Sequence, residues 1–169
     1  MKMLQKRNLL PLLLLVGLIA SGCSSSAKKT GVSDSTADSA TAPDSAIELN
    51  GSSDDSTAGP LKSIYFAFNS AQLSSAAKET LNENAMWLKG ASSVDIQIEG
   101  HADERGGQQF NLALGENRAK MVMKYLMTLG VAESRISIIS YGKEKPVAFG
   151  HDEAAWSKNR RANFVITAK

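Results

Sequence analysis

From residue 61 onward, apolar side chains recur with two different periods, and each switch of period marks a new element. Ile64, Tyr65, Phe66 and Phe68 form a β-branched and aromatic run that stops at Asn69 and Ser70, so a first strand is expected over 63–68. Ala77, Leu81, Ala85 and Leu88 then follow helical spacing, with Ser74 or Ser75 as the cap, Glu79 in the first turn and Gly90 as a left-handed stop. Val94, Ile96 and Ile98 alternate with Asp95, Gln97 and Glu99, which predicts a strand buried on one face and wet on the other. After a Gly-rich loop, Leu112, Ala119, Val122, Met123, Leu126 and Leu129 form the stripe of a second helix closed by Gly130. A third strand is expected over 135–141 and a short helix over 152–158. The fourth strand has Ala162, Phe164 and Ile166 on one face. Strand and helix alternate in two crossover units, and right-handed crossovers place both helices on one face of the sheet, giving a two-layer sandwich.

The first 60 residues follow neither period. Residues 1–22 begin with Lys2, Lys6 and Arg7, continue as an apolar run over 9–20 broken by Pro11 and Gly17, and end in Ser21 and Gly22. This is the layout of a secretory signal peptide, and its apolar run is well short of the roughly 20 residues of a spanning helix. Cys23 stands where cleavage is expected. The stretch resembles a bacterial lipoprotein signal, which implies that Cys23 becomes an acylated first residue; Ala20 departs from the Leu, Val or Ile usual three places before the cysteine. Ser24 behind it implies sorting to the outer membrane in Gram-negative bacteria, and several acyl chains hold where one binds only marginally. Residues 24–60 are Ser, Thr, Ala, Asp and Gly with two lysines against six acids, so the lipidated Cys23 and a flexible tether are expected over 23–60 and the folded domain over 61–169.

Composition narrows the function classes. The chain of 169 residues has 19 basic and 17 acidic side chains, a formal charge of +2, which gives no field for polyanions and disfavours nucleic acid as a partner. One cysteine and two histidines supply neither a disulfide framework nor a zinc cage.

The motifs are more specific than the composition. Gly100-His101-Ala102-Asp103-Glu104-Arg105-Gly106-Gly107, then Phe110-Asn111-Leu112-Ala113-Leu114-Gly115 and Asn117-Arg118-Ala119, resemble the OmpA-like peptidoglycan-binding domain family. The run 140–146, residues 153–156 and Asn159-Arg160-Arg161-Ala162 resemble its peptidoglycan-associated lipoprotein (Pal) subgroup. The resemblance covers essentially all of 63–166. It implies an α+β two-layer sandwich, βαβαβ(α)β, whose mixed four-stranded sheet runs in the order 1-4-2-3 with strand 4 antiparallel and helices on one face. It also implies a lipid-anchored protein on the periplasmic side of the outer membrane. Such a protein binds the peptide stem of peptidoglycan through meso-diaminopimelate and exchanges with Tol proteins, among them a TolB-type propeller, during constriction at cell division. No cofactor, metal or catalysis is implied.

Diaminopimelate ends in one carbon bearing an ammonium and a carboxylate. The resemblance assigns the ammonium to Asp103 and the carboxylate to Arg118, and adds Asn111, Glu104, Arg105, Phe66, Ala67 and Leu114 to the site. Arg118 lies seven residues after Asn111, on the same helical face and near the loop that carries Asp103. Both charged groups are expected at the surface of a cleft, outside the core. Without the resemblance, Asp103 reads as a loop-ordering carboxylate, Arg118 as a solvated helical charge and Asn111 as a cap or loop clamp. Glu104 and Arg105 are expected to pair with each other or to brace the loop, and His101 to be a buried histidine with its hydrogen bonds made. One departure concerns the first strand: the family typically ends it with acids, whereas Ala67 and Asn69 stand there here. Two other functions remain open at this point. One is an OmpA-like wall-binding lipoprotein without Tol partners. The other is a periplasmic wall hydrolase, for which the chain lacks a zinc-binding histidine pair and a Gly-x-Ser-x-Gly elbow.

Overall fold

The computed structural model describes residues 49–169, so the expected signal peptide, the lipidated Cys23 and tether residues 24–48 lie outside the described residues. Four strands and three helices follow the expected order: β1 (Ile64–Tyr65), α1 (Ser75–Gly90), β2 (Asp95–His101), α2 (Gln108–Thr128), a 3-10 turn (Glu133–Arg135), β3 (Ile136–Gly142), α3 (Glu153–Asn159) and β4 (Arg161–Ala168). The sheet order is β1-β4-β2-β3, with β4 antiparallel to both neighbours and β2 parallel to β3. This is the mixed sheet that the resemblance implied.

The core lies between the sheet and α1 and α2. Ile96 and Ile98 of β2 and Ala162, Phe164 and Ile166 of β4 meet Ala77, Leu81, Ala85 and Leu88 of α1 and Ala119, Val122 and Leu126 of α2. Their alternate neighbours make polar contacts instead, such as Asn163 Nδ2 donating to Glu99 at 2.8 Å. Ser74 caps α1 by accepting from the Ala77 N–H, and Asp152 caps α3 in the same way from Ala155. The stripe of α2 differs at its start, where Gly115 is buried and Leu112 is only half-buried. A Cβ at Gly100 would stand 1.9 Å from the Gly115 carbonyl oxygen, so two glycines are what allow α2 to lie directly on β2.

Three expectations are corrected. β1 is two residues long and not six, because the carbonyls of Phe66 and Ala67 accept from the arginines 160 and 118 and the chain then turns at Asn69, with φ of 49°. Gly90 is the last residue of α1 in ordinary helical backbone, and the positive-φ stop belongs to Gly130 alone of the two. The third concerns the boundary at residue 60, since packing already begins near residue 50. Asn50 N donates to the Ile166 carbonyl at 2.8 Å, Ile166 N to Gly51 at 3.0 Å and Ser53 N to Phe164 at 2.9 Å, so residues 50–53 cover the edge of β4 that the short β1 leaves open. Ala58 and Leu61 enter the core, and Asp54 pairs with the buried Arg161 at 2.7 Å.

This strap carries a stability cost that a free tether would not. Asp54→Ala leaves the Arg161 guanidinium buried without its counter-charge and should destabilise the fold on the order of 3 kcal/mol, read from urea unfolding of the whole chain. An unchanged midpoint would return residues 50–60 to the tether.

Candidate functional site

The loops that leave β1 and β2 and the first three turns of α2 enclose a cleft of about 190 Å³ at one end of the sheet. Phe68 and Asn69 come from the first loop, Asp103, Arg105 and Gly106 from the second, and Phe110, Asn111, Leu114 and Arg118 from the helix. The helical contribution follows from spacing: 110, 114 and 118 are four apart, and 111 and 118 are seven apart, so all four share a face. Asn111 donates from Nδ2 to the Arg105 carbonyl at 2.9 Å and from its backbone N–H to the Gly107 carbonyl at 3.1 Å. It clamps the loop to the helix, as one reading of the sequence expects.

Arg118 and Asp103 are not the surface groups anticipated. Arg118 is 0 % exposed and Asp103 is 4 % exposed. Arg118 donates from Nε to the Ser70 carbonyl at 2.9 Å, from Nη1 to the His101 carbonyl at 2.7 Å and from Nη2 to the Ala67 carbonyl at 3.1 Å. Its guanidinium carbon lies 5.1 Å from the centre of the Phe66 ring. Burial pulls its pKa down to about 10, with Asp103 opposing the change and Arg160 adding to it, so the group stays charged at neutral pH. The helix face therefore carries a cation into a nearly closed space, where loop carbonyls and one carboxylate hold it.

Asp103 accepts four hydrogen bonds. Oδ1 takes the Arg105 backbone N–H at 3.1 Å and Nε at 3.2 Å, while Oδ2 takes Arg105 Nη2 at 2.6 Å and Arg160 Nη1 at 3.4 Å. Burial pushes the Asp103 carboxyl up, but the bonds from Arg105 outweigh it and hold the group below the usual carboxylate range. Arg105 is itself pressed between two rings, 3.9 Å from the centre of Phe68 and 4.0 Å from that of Trp156. Arg160 completes the frame through the Phe66 carbonyl at 3.0 Å and the Glu153 carboxylate.

Other expected site residues lie elsewhere. Phe66 and Ala67 do not line the cleft, because their carbonyls are turned to Arg160 and Arg118; Phe68 and Asn69 line it in their place. Glu104 does not pair with Arg105, whose guanidinium Asp103 has taken. Glu104 instead accepts from Trp156 Nε1 at 2.8 Å, contacts His151 Nδ1 at 2.7 Å and faces a neighbouring cleft with Lys143 and Phe149. His101 is buried as expected but its ring nitrogens make no hydrogen bond; Nε2 is 3.5 Å from Glu99, the ring lies 5.7 Å from that of Tyr141, and burial lowers its pKa. It has no serine or Asp103 contact of the kind a catalytic group needs. The supports that sequence reasoning left unassigned are Trp156 and Arg160, although both fall in motifs that carried the resemblance. Among the described residues no group of three or more metal-ligating side chains is present.

A model of the OmpA family matches residues 65–160. The chain is 45% identical over 109 residues to the peptidoglycan-associated lipoprotein of Pseudomonas aeruginosa, covering 64% of this chain and 64% of that protein. The protein of that name from Rhizobium meliloti is 46% identical, and 66% of its length is covered. The chain thus spans just under two thirds of the length of these relatives. A third, from Mesorhizobium japonicum, is 39% identical across 92% of this chain and 90% of its own. Among solved structures, the peptidoglycan-associated lipoprotein of Burkholderia pseudomallei superposes with a TM-score of 0.60 at 45% identity, covering 62% of this chain and 88% of that one. The C-terminal domain of Helicobacter pylori MotB reaches the same TM-score at 24% identity, covering 64% and 85%, a likeness of fold.

The burial of Arg118 has a direct consequence for stability. Arg118→Ala removes three bonds to the carbonyls of Ala67, Ser70 and His101 and the buried cation beside Asp103, so it should destabilise the fold by at least about 3 kcal/mol in chemical denaturation. A surface charge would cost within about 0.5 kcal/mol, and that result would contradict the buried placement.

Proposed function

The chain belongs to the OmpA family, and from that premise we propose that it is a non-enzymatic outer-membrane lipoprotein that binds peptidoglycan and ties the membrane to the cell wall. The observation that carries the reading is the cleft, about 190 Å³ with two guanidiniums and one carboxylate inside an apolar rim of Phe68, Phe110 and Leu114. Its size fits the end of one charged side chain and not a folded surface or a glycan strand. The ligand is the diaminopimelate of the peptide stem, entering by its distal carbon. Arg118 and Arg105 present N–H groups to the carboxylate, the planar fork giving both energy and orientation. The aliphatic part of the ligand lies along Leu114 and the two rings.

The relatives' shared name supports the lipoprotein part of this reading. Cys23 is its proposed point of acylation, and residues 24–48 are its proposed tether, leading into the strap that packs on β4. Exchange with Tol proteins, including a TolB-type propeller, places the protein in envelope constriction at division.

The experiment is calorimetric titration of the whole chain in detergent with a soluble stem peptide containing meso-diaminopimelate, and with its lysine counterpart, which lacks the distal carboxylate. The lysine peptide should bind at least about 30-fold more weakly, the loss of one partner of a desolvated charge contact being about 2 to 5 kcal/mol. Equal binding of the two would remove diaminopimelate as the ligand.

A further inference from the structure

We infer that residues 50–61 are a load-bearing clamp, which passes a pull between the amino-terminal anchor and a wall-bound cleft into β4 in shear and gives way only when its bonds fail together; the inference rests on the proposed function and deepens it. Its first support is the placement of the two attachment points. The cleft stands at the His101 end of β2, beside the loop that follows that strand. The chain enters the domain at the other end, where Asn50 bonds to Ile166 and Ile166 lies opposite Ile96, about 17 Å away along the sheet at the usual rise per residue. Membrane and wall therefore pull on opposite ends of the same strands.

The direction of the strap follows from its register. It is antiparallel to β4, with Asn50 and Gly51 at Ile166, Ser53 at Phe164 and Asp54 at Arg161, so it runs from the far end towards the cleft. The bonds of an antiparallel pair lie across the strands. A pull on residue 50 away from the cleft is directed along the strap, and all of these bonds take the load at once. A sideways pull opens them one after another.

Side chains oppose the same sliding motion. Oδ1 of the buried Asn163 accepts from Ser52 Oγ at 2.9 Å, from Ser53 Oγ at 2.8 Å and from the Asp54 N–H at 3.1 Å. Beyond them the chain folds back, with the N–H groups of Thr57 and Ala58 both donating to the Ser52 carbonyl, at 3.0 and 3.1 Å. Ala58 and Leu61 are 0 % and 3 % exposed, so the strap cannot slip along β4 without drawing two apolar side chains out of the core. A tether that stayed free up to residue 60 would load the two-residue β1 directly.

The test is single-molecule pulling of the whole chain, unacylated and held at Cys23, its only cysteine. The second handle is Gln109→Cys, exposed at the cleft end of α2, or Thr167→Cys, exposed next to Ile166 at the far end of β4. Forced unfolding is set by the barrier to rupture, and shared bonds raise that barrier, so the first break with the handle at 109 should need at least about twice the force required with the handle at 167. Ser52→Ala together with Ser53→Ala should lower the force at 109 by a larger fraction than the force at 167. Equal forces in the two geometries, or a double variant as strong as the unaltered protein at 109, would overturn the clamp and leave the stem-peptide titration, and with it the functional reading, untouched. No binding of any stem peptide in that titration would remove the wall-side load and overturn both.

Discussion

A single buried guanidinium fixes the end of the sheet at which the cleft opens. Arg118 projects from the second helix and bonds to carbonyls on two separate stretches of chain, the loop after β1 and the last residue of β2. The Ala67 carbonyl also accepts from the Ser70 N–H at 3.3 Å, and the guanidinium adds a charged donor to each of the three. The charge that satisfies them is costly to bury, and burial lowers its pKa to about 10. The site is thus held by a cation whose removal would loosen every wall, which is why binding and stability are coupled at this position.

Around that cation the structure is a chain of mutual restraints. Arg105 neutralises Asp103, two rings hold Arg105, and Trp156 is in turn held by Glu104 through its indole N–H. Asn111 ties the loop to the helix, and Gly100 against Gly115 sets how closely that helix approaches the sheet. A cleft framed in this way needs little ordering when a ligand arrives, so less of the contact energy is lost to entropy.

The elements with strong periodicity were legible from sequence alone: the alternation of Ile96 and Ile98 in β2, the Leu81, Ala85 and Leu88 stripe of α1, and the cap at Ser74 all stand where pattern and propensity put them. What escaped was decided by backbone carbonyls, which have no signature in the order of side chains. Residues 50–53 look like tether because their composition is polar, yet their attachment to β4 uses main-chain groups and needs only Ala58 and Leu61 as apolar anchors. Arg118 reads as solvated for the same reason, since its partners are carbonyls of residues 67, 70 and 101. The resemblance named Asp103 and Arg118, and both line one cleft, but it carried no information on how completely Arg105 engages the aspartate.

The most direct measurement is a crystal structure of the chain with the meso-diaminopimelate stem peptide bound. The account predicts the distal carbon of diaminopimelate inside the cleft, its carboxylate within hydrogen-bonding distance of N–H groups of Arg118 or Arg105. A peptide seated outside the cleft, with neither guanidinium in reach of its distal carboxylate, would contradict it.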